Sequence, residues 1–364
     1  MTRPPTIAFL TGTLDVLAGA ERVTALIANG LAQRGWQVHI LSLWSPRSQF
    51  ALDPSIRLQA LFDTRPSFKT HYLATVRGIR RHIRANGIDV LVSVDTMLSW
   101  FTLPACTGLT VRQIAWEHAS FDQDLGRRSR QWARRLAARY FDHVVVLTDR
   151  DRKQWQAALR TAQRVETIGN PLPFDPVPEA ANLRAPIVLA VGRLVPAKGF
   201  DVLLRAWQKV AAVAPDWSLR IIGEGECRAS LETLRDRLGL HASVSLPGAT
   251  QAMEAAYRDA CIFCLSSRHE GFGMVLIEAM ASGVPVVSTA CETGPKEILR
   301  DGDNALMVPV DDADTLADRL LTLIRDPLLR QRLAAGGLAA ADRYRQDIIV
   351  DRWITLLSGL ARPI

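Results

Sequence analysis

The stretch Arg268-His269-Glu270-Gly271-Phe272-Gly273-Met274-Val275-Leu276-Ile277-Glu278-Ala279 decides the fold and points to the chemistry. Just before it, Ala260-Cys261-Ile262-Phe263-Cys264-Leu265 is a short apolar run of strand type. Just after it, Gly283 and Pro285 stop what reads as a short helix. The unit is therefore strand, glycine loop, helix. Gly271 and Gly273 let the backbone come close to a ligand. The amides of Phe272, Gly273, Met274 and Val275 open a helix N-terminus, which favours anions such as phosphates. Glu270 precedes the turn and Glu278 lies two turns beyond it. A carboxylate only accepts hydrogen bonds, which suits it to a pair of sugar hydroxyls.

Upstream, the same pattern occurs with opposite charge. Ile187 to Val191 reads as a strand, followed by Gly192-Arg193-Leu194-Val195-Pro196-Ala197-Lys198-Gly199-Phe200 at a helix entry. Two cations five residues apart at such a turn suit a departing diphosphate, whose negative charge needs compensation. Ser218 to Ile222 is a further strand, ending in Gly223-Glu224-Gly225. Arg228, not glycine, stands three residues after Gly225, so the dinucleotide fingerprint fails there. It fails also at Ala18-Gly19-Ala20-Glu21, after the first strand, Thr6 to Leu10. A nicotinamide oxidoreductase is disfavoured. The Gly19 loop, opening a helix that runs to about Arg34, is still a candidate anion site.

The chain has 364 residues, enough for two domains with full cores. No apolar run approaches the ~18 residues of a membrane helix, and Met1 to Pro5 leads into a strand without a signal-type apolar region. The expectation is a cytoplasmic protein. Cysteines 106, 227, 261, 264 and 291 are scattered and odd in number, which argues against a disulfide framework. Cys261 and Cys264 fall within a strand, where the spacing predicts core packing rather than zinc or redox chemistry. The net charge of +7 is uneven: residues 1–175 hold 23 Lys and Arg against 14 Asp and Glu, or +9, leaving −2 for the rest. The excess sits in two helical stretches, Lys69 to Arg84 and Arg127 to Arg139. Such stretches are either solvated faces or surfaces for an anionic partner. No nucleic-acid-binding motif accompanies them.

Strands are also expected at Gln37 to Leu43, Asp89 to Val94, Val111 to Trp116, Phe141 to Leu147 and Val165 to Ile168. Alternation with helices predicts parallel sheets. His118 lies just past the C-terminal end of the Val111 to Trp116 strand, the end at which open α/β sheets bind ligands. The proline-rich run from Gly169 through Pro178 to Pro186 reads as an interdomain linker.

Glu270 and Glu278, with Glu270-Gly271-Phe272-Gly273 and the Ala279 to Val287 strand entry, resemble the E-x7-E signature of retaining glycosyltransferases of family 4. Gly192-Arg193-Leu194 with Lys198-Gly199 resembles that family's G-R-L-x-x-x-K-G motif, and Gly169 to Asp175 its linker. The resemblance covers nearly the whole chain, strongly over 187–310 and more loosely over 1–170. Ala18 replaces one glycine of the family's GGxE-type loop. It implies an α/β protein of GT-B fold, two Rossmann-like domains with parallel sheets facing a central cleft. The N-terminal domain would be residues 1–172, with a last helix at about 346–364 returning to it, and the C-terminal domain residues 173–345.

The implied reaction transfers a hexose from a nucleotide-sugar, with retention, to a glycan or lipid-linked glycan. UDP-galactose-type donors are favoured, as in lipopolysaccharide and lipid-linked-glycan synthesis, with GDP-mannose open. In that reading Arg193 and Lys198 hold the diphosphate, Glu278 the ribose, Glu270 and His118 the sugar. Gly19, Gly192, Gly223, Phe272, Gly273, Met274 and Val275 line the donor. Neither metal nor cofactor is expected. Asp122-Gln123-Asp124 matches the metal triplet of the other glycosyltransferase fold but lies in the wrong context here. A sugar-nucleotide epimerase and a non-catalytic nucleotide-sugar binder are the competing readings. A basic face of Arg80, Arg81, Arg84, Arg134 and Arg135 is expected to allow association with an anionic membrane.

Overall fold

The computed structural model describes residues 5–124, 126–159, 164–177 and 186–360. Residues 178–185 of the expected linker and the tail beyond Leu360 lie outside the described residues. The chain divides into two compact units, Met1–Pro173 with Gln346–Ile364, and Phe174–Arg345.

The first unit begins with β1 (Thr6–Thr11), α1 (Gly19–Gln33), β2 (Gln37–Trp44), β3 (Arg57–Phe62), α2 (Tyr72–Asn86) and β4 (Val90–Val94). It continues through α3 (Ser99–Cys106), β5 (Arg112–Trp116), α4 (Arg128–Tyr140), β6 (His143–Val146), α5 (Asp149–Leu159) and β7 (Val165–Thr167). Its strands form one sheet in the order β3-β2-β1-β4-β5-β6-β7, with every pairing parallel. The central strands β1 and β4 are buried at every residue, as expected of strands covered on both faces. The sequence reading passed over β3, whose Arg57 and Gln59 break the apolar run. An edge strand half open to solvent tolerates that polarity.

The second unit runs β8 (Ile187–Val191), α6 (Phe200–Val213), β9 (Ser218–Ile222), α7 (Arg228–Arg237), β10 (Val244–Gly248), α8 (Met253–Asp259) and β11 (Ile262–Leu265). Then follow α9 (Met274–Ala281), β12 (Val286–Thr289), α10 (Pro295–Ile298), β13 (Ala305–Val308), α11 (Ala313–Arg325) and α12 (Pro327–Ala341). Its parallel sheet has the order β10-β9-β8-β11-β12-β13. Leu203, Leu204, Trp207 and Val210 of α6 pack with Leu316, Leu320 and Leu323 of α11 over Val188, Leu219 and Cys264. Cys261 and Cys264 are both buried, and neither forms a disulfide.

The last helix, α13 (Gln346–Leu360), belongs to the first unit although the chain reaches it from the second. It buries Trp353 against Trp116, with ring centroids 4.8 Å apart, and against Phe9. Val350 fills the space left by Gly30 of α1: a Cβ at position 30 would lie 2.4 Å from Val350 Cγ2. Among the described residues no helix is long and apolar enough to cross a membrane.

Candidate functional site

In each sheet the chain leaves the first strand toward one edge and later returns to lay strands toward the other. Strand order reverses between β1 and β4 in the first unit and between β8 and β11 in the second. The connections leaving these strand ends diverge there and open a crevice at the carboxyl ends. Gly19 follows β1, residues 192–198 follow β8 and residues 270–275 follow β11 at these places, while His118 follows β5 and Gly223 follows β9.

In the second unit the loops after β8 and β11 are stitched together. Gly199 takes φ +60°, and a Cβ there would lie 2.1 Å from the Ser266 carbonyl oxygen, so only glycine allows this approach. Ser266 Oγ donates to the Lys198 carbonyl at 2.9 Å, and Arg268 N donates to the Ala197 carbonyl at 2.8 Å. The Arg268 guanidinium grips both oxygens of Asp201, and also Asp311 and the Pro196 carbonyl. These hydrogen bonds hold the Asp201 carboxyl below its usual range. Arg268 is thus the fastening between the two loops.

This stitching brings Lys198 to Glu270. Lys198 Nζ lies 2.6 Å from Glu270 Oε1, and Ser267 Oγ donates to the same oxygen at 2.6 Å. The Glu270 side chain is 7% exposed and that of Lys198 20%, so the pair is shielded yet reachable. Gly192 lies against the Lys198 side chain, where a Cβ would meet Cε at 3.3 Å. Arg193 is exposed on the same loop. Gly223 follows β9, packed against the Gly192 carbonyl. Gly273, at φ +95°, starts α9, whose first residues are Met274 and Val275, while Phe272 is buried beneath. Glu278 lies inside α9, buried, and accepts from the Tyr257 hydroxyl at 2.9 Å.

In the first unit, His118 sits after β5, its ring against that of Trp116 with centroids 4.6 Å apart and planes tilted by 44°. Its Nε2 is buried without a hydrogen-bonding partner among the described residues, and burial lowers its pKa to about 4. The ring is therefore neutral at physiological pH. Gly19 opens α1 with open space where a Cβ would be, so the fold itself does not require glycine there. Glu21, two residues on, has its pKa raised by burial and by the nearby charge of Asp95.

Asp95, at the end of β4, takes φ +131° and receives Arg130 through both oxygens at 2.9 and 3.0 Å. Arg130 also reaches Glu117 Oε1 at 3.2 Å, and Arg134 Nε reaches Glu117 Oε2 at 3.1 Å. Thr96 Oγ1 adds a 2.6 Å hydrogen bond to Glu117. Arg134 is thereby only 2% exposed, and this corrects the expectation that it lies on an outward basic face. A carboxylate buried as deeply as Glu117 demands cations beside it, and two α4 arginines turn inward to supply them. Arg80 also differs from that expectation: it caps the Ala105 and Thr107 carbonyls at the end of α3. Asp122 engages Arg150 and Gln154, while Asp124 accepts from Gly126 N.

The sequence reading did not find Ser267, Tyr257, Arg268, Asp95, Glu117 or Arg130. Ser267 and Arg268 flank the carboxylate motif, and their spacing to Glu270 was the available signal. The others become neighbours only through the sheet.

Residues 173–338 match the model described as Glycosyl transferases group 1, and residues 17–175 match Glycosyltransferase Family 4. An uncharacterized glycosyltransferase of Haemophilus influenzae is 30% identical over 351 residues, covering 96% of this chain and 99% of its own. The chain belongs to the family 4 glycosyltransferases.

An N-acetylgalactosaminyltransferase of Campylobacter jejuni, named for a diphospho-undecaprenol-linked acceptor, is 26% identical over 97% of this chain and 98% of its own. Among solved structures, HepE of Anabaena in complex with UDP and glucose aligns with TM-score 0.80 at 20% identity, covering 98% of this chain and 100% of that one. The fold of this glycosyltransferase is GT-B, as two parallel-sheet α/β units and that likeness show.

Proposed function

We propose that this glycosyltransferase moves a hexose from a UDP-sugar, of UDP-galactose type, to a hydroxyl of a glycan or lipid-linked glycan, retaining the anomeric configuration. The relatives' names support a place in bacterial polysaccharide or lipopolysaccharide synthesis. The observation that carries the reading is the Lys198–Glu270 contact at the β8–β11 strand reversal, beside the N-terminus of α9. It sets a cation for phosphate and an acceptor-only carboxylate for sugar hydroxyls side by side.

In this mechanism the donor diphosphate engages Lys198 and Arg193, and the α9 amides add their partial positive charge. Glu270, held at 2.6 Å from Lys198, grips hydroxyls of the transferred sugar. Glu278 holds the ribose. His118, neutral, is the first unit's candidate hydrogen-bonding group. The acceptor oxygen attacks the anomeric carbon from the face the phosphate is leaving. The carbon–oxygen bond to phosphate breaks, the bond to the acceptor forms, and the departing phosphate oxygen takes the acceptor proton. The two cations and the helix dipole do the work a metal would otherwise do. A lipid-linked acceptor places the enzyme in the cytoplasm, peripheral on the inner face of the membrane.

The test is nucleotide release from a panel of UDP-sugars and GDP-mannose, with and without glycan acceptors and with and without EDTA. Acceptor-dependent release of UDP that survives EDTA is expected. Conversion of the donor without acceptor would favour an epimerase. Activity lost on chelation and restored by Mg²⁺ or Mn²⁺ would overturn metal independence.

A further inference from the structure

The helices α2, α3 and α4 contain no aspartate or glutamate, and between them carry nine arginines. Three of the nine turn inward or cap a helix, namely Arg80, Arg130 and Arg134. Arg77, Arg81, Arg84, Arg128, Arg135 and Arg139 are exposed. All four exposed aromatic residues among the described residues lie on these same helices: Tyr72, Trp100, Trp132 and Tyr140.

They are not scattered. Tyr72 at the start of α2 donates its hydroxyl proton to the Trp100 carbonyl at 2.8 Å. Ser99, next to Trp100, reaches the Ala133 carbonyl, next to Trp132. The starts of α2 and α3 and the middle of α4 therefore meet. Tyr72, Leu73, Trp100 and Trp132 surround that junction, with Leu73 61% and Trp132 59% exposed. On α4, Arg128, Trp132, Arg135 and Arg139 recur at i, i+4, i+7 and i+11, which is one helical face. Arg135 lies over the Trp132 ring at 5.0 Å from its centroid, and Arg139 over Tyr140 at 5.5 Å. The buried side of α4, through Arg130 and Arg134, locks the helix to Asp95 and Glu117. The outward face is thus backed by buried ion pairs.

We infer that this face, centred on Trp132 of α4 with Trp100 and Leu73 beside it, docks on an anionic lipid bilayer. A tryptophan has an apolar body and one polar N–H, and settles at the headgroup level. Arginines beside it pair with anionic headgroups, and their cost of desolvation is lowered by the ring faces they already cover. The aliphatic Leu73 among the aromatics suits acyl chains better than nucleic-acid bases. The inference rests on the lipid-linked acceptor proposed above and names the surface that meets the lipid.

The experiment is co-sedimentation of the full chain with vesicles of phosphatidylcholine alone, or of phosphatidylcholine with phosphatidylglycerol, at low and high salt. The variants are Trp132→Ser, the triple Arg128→Ser/Arg135→Ser/Arg139→Ser, and the control Arg237→Ser on α7 of the second unit. Binding is expected only with phosphatidylglycerol and is weakened by salt. The triple variant should lose about 10²-fold in affinity and Trp132→Ser roughly tenfold, while Arg237→Ser binds as wild type. Transfer to a water-soluble glycan acceptor should be unchanged in both α4 variants. Binding that ignores lipid charge, or that survives both α4 variants, overturns the inference. So does tighter binding of single-stranded RNA at this face, lost in the same variants. Vesicle binding that obeys these rules in a chain that transfers no sugar would instead overturn the functional reading and leave the surface standing.

Discussion

Tyr257 donates its hydroxyl proton to Glu278 Oε2 across 2.9 Å, in a place where neither side chain meets solvent. Tyr257 comes from α8 and Glu278 from α9, on either side of β11. A carboxylate inside a helix has several rotamers open to it, and this bond selects one. If Glu278 holds the ribose, Tyr257→Phe should weaken UDP binding by about tenfold, the effect of one hydrogen bond to a charged group. Glu278→Gln should weaken it at least as much. Glu270→Gln should leave UDP binding intact and impair transfer. Calorimetric titration with UDP separates the three, and equal losses in Glu270→Gln and Glu278→Gln would refute the division of roles.

Lys198 pairs with Glu270 at 2.6 Å, and in the proposed reaction it also meets the donor diphosphate. Charge stabilisation that grows as the phosphate leaves appears in kcat. Lys198→Ala and Arg193→Ala are each expected to lower kcat by about 10²-fold or more. Steady-state kinetics with saturating donor are the check. A raised KM with unchanged kcat would reduce both residues to simple binding contacts.

The α4 arginines divide sharply by the side of the helix they occupy. Arg130→Leu removes one of two cations from the buried Glu117 and both guanidinium hydrogen bonds to Asp95, which keeps the one from Met97 N. The expected loss of stability is about 3–5 kcal/mol, the cost of breaking a buried ion pair. Arg135→Ala, on the exposed side, should stay within about 0.5 kcal/mol of wild type. Urea unfolding followed by circular dichroism distinguishes them, and similar losses in both would contradict this network.

His82 of α2 is buried, with its ring 5.4 Å from that of His39, and burial lowers its pKa to about 4. The unfolded chain binds a proton near pH 6.5, and the folded chain resists it until about pH 4. Stability contributed by the neutral ring is thus full above pH 6.5 and is lost as the pH falls toward 4. His82→Gln removes that titration. Its stability should fall less steeply than the wild type's through this window, by at most about 1.4 kcal/mol per pH unit. Parallel curves in pH-dependent urea unfolding would refute the assignment. Asp151, raised to about 6 by burial, acts in the opposite sense in both proteins and cancels in the comparison.

Much of this protein is written locally. Strand, glycine loop and helix follow one another within Ala260 to Ala281, and the charges that matter there are carried in the same loops. Runs of apolar residues named nearly every central strand, because a strand buried on both faces needs no alternation. The sequence by itself therefore determined the α/β class, the family and the residues of the Lys198 and Glu270 loops. The tertiary structure alone decided which of the basic residues are surface. Arg130 and Arg134 lie in the same arginine-rich helix as Arg128 and Arg135 and cannot be told from them by composition. They are buried because Asp95 and Glu117, just past the ends of β4 and β5, wait on that side. Likewise Tyr257 and Glu278, or Lys198 and Glu270, are 21 and 72 residues apart in sequence and become partners only when parallel strands align their ends. A carboxylate's partner is set by distance in space, and spacing along the chain carries that information only within a single element.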